Sequence, residues 1–237
     1  MTDPIIVSGN ASDIESLRQP LVAGSISVQQ QVIPQLANLG DGGLDVLMEF
    51  LFQRRENSAT WVDGKVYHTL YNSNSPKAKE FLQTYFPNGI VPLKSDCGID
   101  YSPLQQLLAV HDFQAADRIT LQKMCELAGA AAVQRKWLYF TEVENFPIID
   151  LQTINTLWVV HSEGKFGFSV QREIWLGLGK NWDNLWTKIA WKKGNNWTRY
   201  PNEFIWDLSA PRGHLPLSNQ LRGVRVIASL LSHPAWS

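Results

Sequence analysis

Cysteine is almost absent from this 237-residue chain: Cys97 and Cys125 are the only two. Two thiols cannot build a disulfide framework or, by themselves, a zinc site. No apolar run approaches the ~20 residues needed to cross a bilayer. Neither sign of charge is in excess, since 21 Lys and Arg face 22 Asp and Glu for a net charge of −1. That excludes a globally basic nucleic-acid binder, although not a local basic patch. The opening MTDPIIVSGN holds no Lys or Arg and so lacks the charged start of a secretory signal. The expectation is a soluble intracellular protein, in which the sequons at Asn10 and Asn196 are incidental. Nucleotide cradles are missing too. Neither GxxxxGKS/T nor GxGxxG occurs, and there is no HExxH, CxxC or GxSxG.

Tryptophan is abundant instead. There are ten, nine of them from Trp137 onward. With 44% hydrophobic and 18% charged residues the chain can bury a sizeable core. The cluster therefore means either an aromatic-rich core or an aromatic-lined site. Charge is also uneven. Residues 96–163 hold four Lys and Arg against nine Asp and Glu, whereas residues 164–237 hold ten against four. The two segments could attract each other within one domain. A basic, tryptophan-rich surface could equally hold a flat, anionic, apolar ligand, or single-stranded nucleic acid whose bases stack on the rings.

Periodicity predicts an all-α protein. Val28, Val32, Ile33, Leu36 and Leu39 mark a helix over 27–39, stopped by Gly40. Leu44, Val46, Leu47, Phe50 and Leu51 form the next apolar face, and so short a turn makes the two helices antiparallel. Trp61–Tyr71 and Pro76–Phe86 supply two more helices, the second opened by Ser75 before proline. Residues 1–95 thus read as an N-terminal helical accessory domain, a small antiparallel bundle or a pair of helical-repeat hairpins. The boundary falls in 87–100, where two prolines and two glycines disfavour helix. Residues 96–237 form the second domain. Its helices are expected from Ser102, over 113–127, 151–161, 170–178 and 185–191, and over 219–231 behind Ser218. Segments 129–136 and 192–217 are left as long irregular connections. The second is too aromatic for disorder, with Trp197, Tyr200, Phe204, Ile205 and Trp206, and reads as a lid whose rings need cover.

Candidate chemistry is sparse. The five histidines are scattered; His161 ends a helix, where imidazole commonly caps carbonyls, and His214 sits in a turn, where it hydrogen-bonds backbone. Glu142 and Glu144 are two apart on a helix and point to different faces, as solvated carboxylates do. The positive signal is the run Leu221-Arg222-Gly223-Val224-Arg225. On a helix, Arg222 and Arg225 share a face, and Asn219 joins Arg222 one turn earlier. Two guanidiniums beside an apolar wall suit a ligand with a greasy body and carboxylate edges. The competing role for them is an intramolecular pair with carboxylates of the acidic 96–163 segment.

Longer strings carry a resemblance. Trp137-Leu138-Tyr139-Phe140, Phe146-Pro147, Asp150-Leu151, the run Leu157 to Gln171 with its Phe166-Gly167-Phe168-Ser169-Val170-Gln171, and Asp207 to Pro216 with its Gly213-His214-Leu215-Pro216 resemble the Genomes-Uncoupled tetrapyrrole-binding proteins. These are porphyrin-binding regulators of magnesium chelatase. The match covers about residues 96–237, and the N-terminal part resembles the extra domain of the cyanobacterial-type members. The resemblance implies an all-helical core shaped like a cupped hand that binds protoporphyrin IX and Mg-protoporphyrin IX and stimulates magnesium chelatase, through its large porphyrin-binding subunit, in chlorophyll synthesis. It implies porphyrin contacts at Phe140, Tyr200, Phe204, Asn219, Arg222 and Arg225, with the arginines on the carboxylates and the rings as walls. Position 200 is Tyr where a relative has Trp; either ring can stack. The chain is then a non-enzymatic carrier and regulator with no catalytic residues, no bound metal and no nucleic-acid partner. It is expected as a monomer in the cytoplasm of a photosynthetic prokaryote, with peripheral membrane association. Alternatives are a tetrapyrrole-modifying enzyme, which would need a positioned base or metal ligand, and a single-strand nucleic-acid module.

Overall fold

A computed structural model describes residues 7–218 and 224–236. The chain divides into two compact units, Met1–Ile90 and Val91–Ser237. Both are built from helices, and the described strands are two residues long.

The N-terminal unit holds α1 (Val7–Ala23), α2 (Ile26–Asn38), α3 (Asp41–Gln53), α4 (Trp61–Tyr71) and α5 (Pro76–Tyr85). Consecutive helices pack on one another, and the core gathers Val32, Ile33, Leu36, Leu47, Leu51, Val66 and Leu70, all buried. The approach of α3 to α2 depends on one glycine. A Cβ on Gly43 would lie 1.8 Å from the Leu36 carbonyl oxygen, a separation that only glycine avoids. A buried carboxylate joins α3 to α4. Asp63 accepts hydrogen bonds from Thr60 N–H and Oγ1, both at 2.7 Å, and Arg54 forks onto it at 2.6 and 2.9 Å. This is a capping box closed by an arginine, and it satisfies both the helix start and the buried charge.

The C-terminal unit begins with α6 (Ser102–Ala109), α7 (Phe113–Ala128), α8 (Ala130–Arg135) and α9 (Phe140–Val143). Next come α10 (Ile148–His161), α11 (Phe168–Gly177) and α12 (Trp182–Lys188). A hairpin of β1 (Lys192–Lys193) and β2 (Asn196–Trp197) follows, then α13 (Arg225–Ser232) and a final 3-10 turn. The central element is α10, which buries Leu151, Ile154, Leu157, Trp158, Val160 and His161, covering more than one face as a core helix must. Two of its polar side chains are tied to neighbouring elements. Asp150 accepts from Ser95 Oγ at 2.5 Å, Asp96 N–H at 2.9 Å and Tyr101 OH at 2.8 Å. Trp158 Nε1 donates to Thr120 Oγ1 on α7 at 2.9 Å. The turn into α11 presses on α10 through Gly167, at φ 129°, where a Cβ would meet Asn155 Oδ1 and Val159 Cγ2 at 2.9 Å.

The connections are more regular than periodicity suggests. Segment 129–136 contains α8, and the last predicted helix is described from Arg225. Asn219 and Arg222 lie outside the described residues.

Candidate functional site

Two groups of rings carry the remaining sequence-named positions. The first is Phe140 with Arg225. Phe140 opens α9, Arg225 opens α13, and the two helices pack together. The Arg225 guanidinium carbon lies 5.4 Å from the Phe140 ring centroid, within cation–π range. Arg225 is exposed, Phe140 is half-buried, and among the described residues no carboxylate pairs with Arg225. Local chemistry places α9. Lys136 turns the chain at φ 61°, and Arg135 folds back over Trp137 and Tyr139 at 4.6 and 4.4 Å. The same guanidinium contacts Glu142 at 2.8 and 2.7 Å, and Glu142 also accepts from Tyr139 N–H at 2.7 Å. Glu142 is thus a helix cap rather than a solvated carboxylate. Beside it, a groove of about 410 Å³ runs along Glu144, Ala228, Ser229, Ser232, His233 and Pro234.

The second group is Tyr200, Phe204 and Trp206. Their centroids lie 5.9 to 6.5 Å apart, and Phe204 also meets the His214 ring at 5.4 Å. Tyr200 is 51% exposed, whereas Phe204 is buried at 5%. For Phe204 this corrects the expectation of a lid with uncovered rings, whereas Tyr200 does stay exposed and Trp206 half-buried. Segment 192–217 covers Phe204 itself and finds its hydrogen bonds far along the chain. Gly213 N–H donates to Lys165 O at 2.8 Å and Gly167 N–H to Leu215 O at 3.0 Å. Gln171 Nε2 donates to both Gly213 O and Pro216 O, at 3.0 and 2.8 Å. Leu217 N–H donates to Asp117 Oδ1 at 2.6 Å. Asp117 is buried, and burial pushes its carboxyl up to about 7 against the opposing pull of the Leu217 N–H and Arg118.

The histidines belong to the framework. Ile205 N–H donates to His214 Nε2 at 3.1 Å, which leaves Nδ1 as the protonated nitrogen, 2.6 Å from Ile189 O. Burial lowers the His214 pKa, although the Ile189 contact opposes this. His161 is fully buried, and that burial, with His111 adding to it, lowers its pKa to about 3. Both imidazoles are neutral at physiological pH. Among the described residues no group of three His, Cys, Asp or Glu side chains could hold a metal ion, and no helix is long and apolar enough to cross a membrane.

Comparison with known proteins decides the family. Residues 94–234 match the family described as GUN4-like, and residues 5–87 match the ARM-like repeat domain of the GUN4 N-terminus. The chain belongs to the GUN4-like family. It is 52% identical over 228 residues to a Ycf53-like protein of Synechocystis, covering 96% of this chain and 98% of that one. It is 39% identical over 146 residues to the chloroplastic tetrapyrrole-binding protein of Arabidopsis thaliana, across 58% of this chain and 55% of that protein. The solved structure of GUN4 from Chlamydomonas reinhardtii is similar with a TM-score of 0.58 at 43% identity, covering 62% of this chain and 96% of that one.

This GUN4-like chain also contains an aromatic assembly that sequence reading did not single out. Trp175, Trp182, Trp186 and Trp191 stack in a column with centroids 4.7, 5.3 and 5.5 Å apart. Trp182 and Trp186 are one turn apart on α12, a signal visible in the sequence, but the outer rings join only through tertiary packing. Gln171 and Asp117 were missed as well. Nothing local in either marks a partner many residues away.

Proposed function

We infer that this GUN4-like protein binds protoporphyrin IX and Mg-protoporphyrin IX and activates magnesium chelatase as a non-catalytic carrier and regulator. The observation that carries the reading is Arg225 over Phe140: an exposed guanidinium, with no carboxylate partner among the described residues, beside a half-buried ring. A porphyrin is flat and apolar with carboxylates at one edge. Phe140 and Tyr200, the latter backed by the buried Phe204, supply apolar contact for its faces, while Arg225, with Arg222 and Asn219 from the neighbouring sequence, supplies donors for its carboxylates. Apolar walls accept the free base and the magnesium form alike. An Asn219 oxygen as axial ligand would favour the magnesium form, because Mg²⁺ prefers oxygen.

Magnesium insertion is driven by nucleotide hydrolysis, and the sequence carries no nucleotide-binding motif. The chain therefore acts on the reaction through the chelatase and its large porphyrin-binding subunit. We assign porphyrin binding to residues 96–237 and a partner-facing role to residues 1–95, in a monomer of the cytoplasm with peripheral membrane association. Titration of tryptophan fluorescence with protoporphyrin IX, its magnesium chelate and haem tests the binding. Saturable quenching by the first two is expected, and quenching no different from that of free tryptophan overturns the reading. Chelatase turnover with and without the protein tests the activation.

A further inference from the structure

Aromatic burial alone does not explain the order of the tryptophan column. Planes of Trp175 and Trp182 meet at 27°, Trp182 and Trp186 at 21°, and Trp186 and Trp191 at 6°. Trp197 joins Trp186 with centroids 5.9 Å apart. Near-parallel rings this close share π overlap, and indole is among the most readily oxidised side chains. One end of the column reaches the aromatic face described above. Trp191 Nε1 donates to the His214 carbonyl at 2.8 Å, the His214 ring meets Phe204, and Trp197 precedes Tyr200 by three residues. Towards the other end, which Trp175 closes, Trp182 is partly exposed.

We propose that this column is an electron relay that re-reduces a photo-oxidised porphyrin and delivers the oxidising equivalent to solvent at Trp182. The proposal rests on the porphyrin-binding reading. Two features give the relay direction. Lys180 Nζ lies 5.7 Å from the Trp175 centroid and Lys192 Nζ lies 5.7 Å from that of Trp197. A cation over a ring opposes a second positive charge on it, so oxidation is pushed off Trp175 toward Trp182; the push at Trp197 is weaker, because Asp183 pairs with Lys192 at 2.9 Å. Proton acceptors sort the column in the same sense. Trp191 Nε1–H faces a carbonyl, and Trp175 Nε1–H is buried with no hydrogen-bond partner among the described residues. Water can take the proton of Trp182, which traps the oxidation there.

The electrons balance as follows. Dioxygen takes one electron from the photoexcited porphyrin and leaves as superoxide. Trp197 or Trp191 returns one electron to the porphyrin, and Trp186 and then Trp182 refill the gap. Oxidised Trp182 releases its Nε1 proton to water. A small-molecule thiol then transfers a hydrogen atom to the Trp182 radical, and the resulting thiyl radicals pair as disulfide. The net change is one electron from thiol to dioxygen, with the porphyrin and the column restored.

The test uses the full chain with protoporphyrin IX under argon, with ferricyanide as the one-electron acceptor, so that singlet oxygen does not form. Binding is confirmed first by the shift of the porphyrin absorption band. Flash photolysis should then show the porphyrin radical decaying as a tryptophanyl radical appears, and peptide mass spectrometry should find oxidation concentrated at Trp182. In Trp186→Phe the ring and its stacking remain but the relay is cut: Trp182 oxidation should fall several-fold, and porphyrin bleaching should speed up by a similar factor. Trp182→Phe, a change near the surface, should also speed bleaching without altering the fold, and circular dichroism monitors both variants. Bound porphyrin whose radical lifetime is the same in wild type and both variants overturns the relay alone. Absence of the binding shift overturns the porphyrin reading and the relay with it.

Discussion

Asp117 and Leu217 lie 100 residues apart and meet through one hydrogen bond of 2.6 Å, from the Leu217 backbone to a buried carboxyl. The carboxyl titrates near 7 in the folded chain, because burial disfavours its charge, against about 3.9 in an unfolded one. A raised carboxyl pKa means that the folded state holds a proton the unfolded state has lost. This contribution is fully present below about pH 4 and is lost as pH rises through about 7. Asp117→Asn keeps the carbonyl acceptor and removes the titration. The difference in denaturant stability between wild type and variant should therefore change by up to a few kcal/mol across that window. A constant difference would show that Asp117 does not hold the proton.

Asp63 has the opposite sign. Burial works to raise its pKa, but hydrogen bonds from Arg54 and Thr60 hold it below the usual carboxylate range. Its stabilisation is present above the unfolded value of about 3.9 and is lost as pH falls through the lower folded value. Asp63→Asn should destabilise the N-terminal unit by about 1–3 kcal/mol at neutral pH, with a smaller effect in acid. Thermal melts at the two pH values check this.

Gln171 supports two buried carbonyls through one amide nitrogen. Gln171→Leu fills the space but leaves Gly213 O and Pro216 O without that donor. Each such loss costs about 1–3 kcal/mol. The variant should melt earlier, and the Gly167 amide, bound to Leu215 O, should exchange faster.

For Arg225, the expected outcome concerns ligand rather than stability. Arg225→Ala should weaken protoporphyrin IX binding by about 1–3 kcal/mol if its guanidinium meets a carboxylate. Arg225→Lys should recover part of the loss, because charge survives without the fork. The dimethyl ester should bind wild type and Arg225→Ala equally. A matching loss for acid and ester would point to lost packing instead.

Much of the helical framework was legible because its signals are local. Helix α4 runs Trp61–Tyr71 as the spacing predicts, and Ser75-Pro76 and Ser102-Pro103 mark the starts of α5 and α6. Helix α1 was not resolved as an element, since its apolar residues follow no clear stripe and Pro20 lies inside it. The 192–217 segment looked uncovered because its partners, Lys165, Gly167, Gln171 and Asp117, are remote in sequence and carry no periodic mark. Phe140 and Arg225 were each named from sequence, by separate routes. Their contact comes from α9 packing on α13, which no local pattern encodes. The resemblance rested on strings such as Gly213-His214-Leu215-Pro216. The structure gives their physical content: a buried turn whose carbonyls and imidazole are all occupied.

The remote ties also order events in time. In the N-terminal unit each helix packs mainly on near neighbours in sequence, so it can fold as soon as it is synthesised. The C-terminal unit closes only when late residues return to early ones: Leu217 to Asp117, and Ala235, whose carbonyl accepts from Gln152 at 3.1 Å. Its core therefore waits until Leu217 and Ala235 have left the ribosome. Until then Trp158, Trp186 and Trp191 have no complete shelter, which makes the nascent C-terminal half the stage at which this protein most needs a chaperone.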